Sequence, residues 1–436
     1  MNLTKQLKNK IQNQKAKIGI LGLGYVGLPL VIEFLKKKFQ VYGFDNDISK
    51  IKKLQKNQSY INYIDLKILN KDQKNNFKPT NDFSKVGKTD VIIICLPTPL
   101  NKHNNPDMKY INNGLNQIKD YLKEGQLLVL ESTTYPGTTS NIILPILNKK
   151  KFYIGENFFL SYSPERQDPG NNKFGLKETP KLVSGLTTNC LNLSCNLYSY
   201  IVDKVIKVDS IEVAELTKLY ENIFRSVNIG LANEMKIICE KLRINLYDVI
   251  EAASTKPFGF MPFYPGPGLG GHCIPIDPYY LKWIAKKNNV DAKFIELSAK
   301  INKSMPIYVV NKIKYALKFF NINFKNSKIL IIGVAYKKNV DDTRESPSLK
   351  ILEILKKNNI KINYHDPYVP ILKKSRNYSL IMKSKKISKN LLLNHDCVVI
   401  LTDHDKLPYS FIKKYSKMII DTRGRYIEDQ IKIFNA

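Results

Sequence analysis

The 436-residue sequence predicts an α/β protein in which two Rossmann-like, doubly wound domains are joined by a central domain built on a long helix. Three observations carry this expectation. Short apolar runs alternate with amphipathic segments through the first half, as a parallel sheet covered by helices requires. From Ser210 to about Leu242 the pattern turns helical, with no Gly or Pro except Gly230. Near Lys328 the strand-and-helix alternation resumes. The expected domains are 1–208, 209–322 and 323–436.

In order, segments 17–21, 40–44, 91–96, 127–130 and 158–162 read as short buried strands, followed by 181–184 and 205–208. Segment 29–38 is one of the amphipathic stretches between them. Asp209 or Ser210 is placed to cap the long helix. A Pro/Gly-rich loop, 257–278, precedes further helix to about Phe320. Strands are expected at 328–334, 361–364, 397–401 and 418–421, with a helix from about Ser346 to Lys357. A chain of this length exceeds one hydrophobic core, and 43% hydrophobic residues suffice to fill two or three.

The net charge of +31 arises from 69 basic and 38 acidic residues. Only seven of the basic residues are arginine and the lysines are spread along the whole chain, whereas base readout favours clustered Arg forks. No nucleic-acid partner is therefore expected; a net positive field still attracts a phosphorylated substrate. Six cysteines without framework spacing fit reduced thiols in a cytoplasmic protein. No spacing reads as a metal site; Met1–Lys17 is polar and basic without an apolar stretch, so no signal peptide is expected; and there is no run of about 18 apolar residues to span a membrane.

Gly22-Leu23-Gly24-Tyr25-Val26-Gly27 follows the first strand and opens a helix. In this strand–turn–helix setting Gly22 makes the turn, Gly24 lets a pyrophosphate approach, and Gly27 lets the helix pack closely. Asp45 ends the next strand, about 20 residues on, where a carboxylate accepts from ribose hydroxyls and repels a 2′-phosphate; NAD is the expected cofactor. Pro97 and Thr98 follow one strand and Ser132 and Thr133 another, in hydroxyl-bearing, Pro-bounded loops suited to a ribose–nicotinamide site and equally to plain turns. Glu165 and Arg166 stand at a further strand end; read alone, a Glu165–Arg166 pair is the favoured alternative to an acid–base role. Lys218 and Asn222 share one helix face with Glu215 nearby, able to hold an oxyanion or simply to form a surface Glu215–Lys218 pair. Cys273 sits in Gly270-Gly271-His272-Cys273-Ile274-Pro275-Ile276-Asp277, either as a nucleophile able to trap an aldehyde or as a buried turn cysteine. In the last third, Lys337 and Arg344 join strand to helix and are suited to a diphosphate.

Together these segments resemble the UDP-glucose/GDP-mannose dehydrogenase family from Lys17 to about Tyr426: GLGYVG, PTP, STT-Y-PGT, SPER, the Lys218/Asn222 helix, GGHCIPIDP and TRESP occur in order. The resemblance implies an N-terminal NAD domain, a central helical dimer core and a C-terminal nucleotide-sugar domain. It implies oxidation of a sugar C6 alcohol to a carboxylate with two NAD⁺ and no release of the aldehyde. Carried over, Cys273 is the nucleophile, Lys218 and Asn222 hold the oxyanion, Asp277 orders the hydrolytic water, and Thr133 with Glu165 supports proton transfer. Tyr25, Val26 and Arg344 join the cofactor set. Arg166, Lys256, Phe263, Tyr264, Gly268 and Lys337 are expected to meet the UDP-sugar. Pro275-Ile276-Asp277 departs from the PKD usual in UDP-glucose enzymes, and PERxxPG replaces a second Glu. That form resembles the branch acting on UDP-N-acetylhexosamines for surface polysaccharide synthesis. UDP-N-acetylglucosamine is the first expectation, ahead of the galactosamine and mannosamine forms and of UDP-glucose. A one-step hydroxyacid dehydrogenase needs neither Cys273 nor the last domain, and a non-catalytic nucleotide-sugar binder needs no Cys273, Lys218 and Asn222.

Overall fold

A computed structural model describes residues 2–61, 64–167, 174–271, 274–374, 378–426 and 431–436. The chain divides into two compact units, Met1–Glu221 and Asn222–Ala436.

The first unit holds an eight-stranded sheet: β1 Lys17–Leu21, β2 Gln40–Phe44, β3 Phe77–Thr80, β4 Val91–Ile94, β5 Leu127–Leu130, β6 Phe159–Tyr162, β7 Lys181–Gly185 and β8 Val205–Lys207, in the order β3-β2-β1-β4-β5-β6-β7-β8. Strand order reverses direction at β1 and β4, which creates the crevice where open α/β sheets bind ligands. Both faces of the sheet are apolar at its centre because β4 and β5 alternate between two cores. Val91, Ile93, Leu127 and Val129 join one, and Ile92, Ile94, Leu128 and Leu130 the other. All neighbours pair in parallel except β6 and β7, which are antiparallel in the register Ser161–Gly185 and Tyr162–Ser184. The expected strands are present within one or two residues. β3 was not foreseen, since Phe77-Lys78-Pro79-Thr80 carries a proline and a lysine that suit only an edge.

The helix Ile211–Leu242 spans 32 residues, as its uninterrupted periodicity predicts. In the second unit, Asp277–Lys287 and Lys293–Phe319 form two further helices. A five-stranded parallel sheet follows, from β9 Lys328–Ile332, β10 Lys361–His365, β13 Cys397–Ile400, β14 Ile419–Asp421 and β15 Ile433–Asn435, in the order β10-β9-β13-β14-β15. A short antiparallel pair, β11 Ile371–Leu372 and β12 Met382–Lys383, forms a separate sheet beside β10, where the Tyr364 hydroxyl accepts from the Leu372 amide at 3.0 Å. Ile329, Ile331, Cys397 and Val399 line one core, and Leu330, Ile332, Val398 and Ile400 the opposite one. No helix among the described residues is long and apolar enough to cross a membrane.

Candidate active site

The turn after β1 has the three glycine roles that its spacing predicts. Gly22 has φ of +92°, and a Cβ there would lie 2.6 Å from the Cys95 carbonyl oxygen. A Cβ at Gly27 would lie 2.0 Å from the Gly22 carbonyl oxygen, so the helix Gly27–Lys36 seats on the turn only without a side chain. Gly24 faces open space, with nothing within 4 Å of its would-be Cβ. Tyr25 and Val26 are half-buried, and Val26, the N-cap, gives the helix start no side-chain hydrogen bond. An open approach to an uncapped helix start fits a pyrophosphate.

Asp45 follows β2 and accepts from the Leu23 amide at 3.1 Å and the Asp47 amide at 2.9 Å, while Lys50 Nζ lies 3.0 Å from it. A carboxylate has about four acceptor positions, so one is left for a ribose hydroxyl. The Tyr60 hydroxyl, donating to the Leu23 carbonyl, closes the same turn. Across the crevice, Ser132 Oγ donates to the Leu96 carbonyl at 2.8 Å and so ties the β4 and β5 exits together. Pro97 is exposed, Thr98 buried and Thr133 half-buried.

Glu215 does not form the surface pair with Lys218 that helix spacing allows. It is fully buried and accepts from the Gly137 amide at 2.6 Å, the Thr139 amide at 3.0 Å and Thr139 Oγ1 at 2.7 Å. This pins the start of the long helix to the loop after β5. Burial pushes its carboxyl up to about 7 against those hydrogen bonds.

Glu165 also lacks the Arg166 partner that sequence reasoning favoured. Arg166 instead forms a fork with Glu221 at 2.6 and 3.2 Å and donates to the Pro180 carbonyl. Glu165 Oε2 lies 3.4 Å from Lys181 Nζ, and its Oε1 accepts from the Gln167 amide at 2.5 Å. Lys181 Nζ also reaches Glu131 Oε2 at 3.0 Å, and Glu131 Oε1 accepts from the Tyr198 hydroxyl at 2.5 Å. Burial works to raise the Glu165 carboxyl, but the Lys181 ammonium, the Gln167 amide and Lys218 together hold it below its usual value. Glu131, deeper, is raised by burial. Burial and Glu131 push the neighbouring Cys95 thiol well up. Lys181, Glu131 and Tyr198 were not singled out from sequence.

In the second unit Asn222 Nδ2 donates to Asp277 Oδ2 at 2.5 Å, and both side chains are buried. Asp277 opens the helix Asp277–Lys287. Cys273 and His272 lie outside the described residues, but the glycine stem leading to them is well placed. Gly268, with φ of +127°, sits on Pro347. A Cβ at Gly270 would meet Tyr336 at 2.6 Å, and the Gly271 amide donates to the Arg344 carbonyl at 3.0 Å. The stem thus rests on the loop between β9 and the helix Pro347–Lys357. In that loop the Arg344 guanidinium grips Asp342 at 2.6 and 2.9 Å and Lys337 is half-buried. Arg423, also unforeseen, lies against Gly266, whose Cβ would stand 2.7 Å from its Nη1. Lys256 is exposed over the Phe258 ring, Phe263 meets Phe224 edge to face, and Tyr264 stacks on Tyr247.

Sheet topology, the three-glycine turn and Asp45 define a dinucleotide-binding oxidoreductase fold in the first unit. Comparison with known families is specific. Residues 16–202 match the NAD binding domain of the UDP-glucose/GDP-mannose dehydrogenase family, 212–304 its central domain and 330–433 its UDP binding domain. The chain belongs to this family and is an NAD-dependent UDP-sugar dehydrogenase. It is 35% identical to a UDP-N-acetyl-D-mannosamine dehydrogenase of Methanococcus vannielii, covering 95% of both chains. It is 36% identical to a UDP-N-acetyl-D-glucosamine 6-dehydrogenase of Pseudomonas aeruginosa, over 81% of this chain and 83% of that one. A solved UDP-D-ManNAc dehydrogenase from Pyrococcus horikoshii superposes with a TM-score of 0.84 at 32% identity, covering 96% and 97% of the two chains.

Proposed function

We propose that the protein oxidises the C6 alcohol of a UDP-N-acetylhexosamine to the uronic acid in two steps, with the intermediate held on Cys273. The buried Asn222–Asp277 pair carries this reading. It joins the helix that bears Lys218 to the residue four positions beyond Cys273. The nicotinamide, when bound, supplies the hydride acceptor for both oxidations. A water held by Glu165 or Thr133 takes the alcohol proton, with Lys218 as the alternative acceptor. The Cys273 thiolate forms a C–S bond to the aldehyde carbon, and Lys218 with Asn222 stabilises the resulting oxyanion. After the second oxidation, water ordered by Asp277 attacks the thioester, the C–S bond breaks, and thiolate and carboxylate separate with release of the two protons of that water.

N-acetylglucosamine is the first reading of the sugar. N-acetylmannosamine is the second, favoured by the relatives whose match spans nearly the whole chain. Arg166, Lys256, Phe263, Tyr264, Gly268 and Lys337 are proposed to meet the substrate and Arg344 the cofactor. The domain limits 1–208, 209–322 and 323–436, a cytoplasmic setting and a role in surface polysaccharide synthesis belong to the same proposal. So does a homodimer formed through the central helices. The test is NADH released per molecule of limiting UDP-sugar, with the glucosamine, mannosamine, galactosamine and glucose forms compared. Two NADH for one N-acetylhexosamine, abolished in Cys273→Ala, is the expected result. One NADH, or turnover indifferent to Cys273, overturns the covalent mechanism; preference for UDP-glucose overturns the substrate.

A further inference from the structure

The one antiparallel step in the first sheet has a chemical consequence. Carried past the end of β6, the register Ser161–Gly185 and Tyr162–Ser184 brings position 165 opposite Lys181, the first residue of β7. On the other side β6 runs parallel to β5 with Leu130 opposite Tyr162, so Glu131 comes out of the sheet at the same level. Two carboxylates therefore flank one ammonium. Lys181 is 4% exposed at its side chain and Glu131 is fully buried. A lone ammonium so deep would shed its proton, because burial penalises the charged form. Here Glu131 and Glu165 outweigh burial and hold Lys181 above its ordinary value.

We propose that Lys181 is a positioning residue for the reaction, fixing the Glu165 carboxylate as the outer end of a Glu131–Lys181–Glu165 bridge. The proposal rests on the reading of Glu165 as an acid–base group. The bridge is anchored from below: Tyr198 donates to Glu131 and its ring lies 5.3 Å from Lys181 Nζ. It is oriented from above by the Gln167 amide on the second oxygen of Glu165. Among the described residues, the charged and titratable groups around Glu165 are Lys181 from β7, Glu131 from the exit of β5, Cys95 from the exit of β4, Tyr198 from the helix Thr188–Tyr198, and Lys218 from the long helix. Burial and Glu131 raise both Cys95 and Tyr198, so these two stay neutral and leave Lys181 and Lys218 as the cations acting on Glu165. Lys181 does not itself need to reach the substrate. Its task is to keep the carboxylate ionised and in one place for the water that Glu165 holds.

Lys181→Met tests this through the pH profile of kcat/KM. With the ammonium gone, Glu165 takes up its proton at higher pH. The acidic limb is expected to move upward by about one pH unit or more. The Kd for NAD should stay within about twofold of wild type, and Lys181→Arg should restore the limb. Where Lys181→Met fails to fold because Glu131 is stranded, Lys181→Met with Glu131→Gln removes that charge and is read in the same way. An unmoved limb with an inactive Glu165→Gln overturns the role of Lys181 alone. A Glu165→Gln variant with wild-type turnover overturns the acid–base reading, and this proposal with it.

Discussion

Glu215 illustrates how one residue sets both stability and its pH dependence. Its three acceptor contacts satisfy the amides of Gly137 and Thr139 and the Thr139 hydroxyl in a place closed to water. Glu215→Ala strands two buried amide donors, at a cost of about 1–3 kcal/mol for each such group. Burial raises the carboxyl from 4.5 to about 7, so the folded state binds this proton more tightly than the unfolded chain does. A carboxyl raised in this way contributes its full stability below the unfolded value and loses it as pH climbs through the folded value. The stability gap between wild type and Glu215→Ala, from denaturant titration, should be widest below pH 4.5. It should narrow by on the order of 3 kcal/mol by pH 8. A gap that widens with rising pH would mean that the amide donors, rather than burial, govern the group. The residue was legible as a member of a polar helix stripe, but its partners lie 76 and 78 positions away and leave no local trace. Lys181 was hidden more completely, since a lysine opening a strand reads as a solvated end.

At the scale of elements, the glycine turn separates folding from binding within six residues. Gly27→Ala forces a methyl to within 2.0 Å of backbone, so the helix must move off the turn; the expected loss is about 2 kcal/mol or more, with weakened NAD binding. Gly24→Val places its Cβ in open space, with nothing of the protein within 4 Å, and fills the approach to the helix start. It should leave the melting temperature within a few degrees of wild type while weakening NAD at least about tenfold by fluorescence titration. Equal loss of stability in both variants would refute this division of roles. The strands and this turn were readable because their signals are local: apolar runs bounded by turn residues, and glycines at fixed offsets. The support of the cysteine loop was not. Gly268, Gly270 and Gly271 rest on Pro347, Tyr336 and Arg344, more than 60 positions on, and only the sheet that brings β9 beneath the stem makes the contact.

Considered as a whole molecule, the chain carries an apolar face that its own fold leaves bare. Along the helix Ile211–Leu242, Val213, Leu216, Tyr220, Phe224, Leu231, Ile238 and Leu242 are all exposed large hydrophobics. Their steps of three, four and seven residues put them on one face, and 32 residues extend about 48 Å. Water-exposed apolar stripes of this length mark association surfaces. Self-association is favoured by the continuity of the stripe, since two copies of one helix crossing about a twofold axis bury the same residues on both sides. The net charge of +31 opposes the approach of two identical chains, so the contact should strengthen as salt screens that repulsion. Light scattering after gel filtration should give twice the 50.2 kDa chain mass for the wild type. Leu231→Glu with Ile238→Glu, placing charges in the C-terminal half of the stripe, should halve that mass with little change in helical content. A wild-type protein that is monomeric at micromolar concentration and 0.15 M salt would refute the dimer, and a double variant that stays dimeric would place the contact elsewhere.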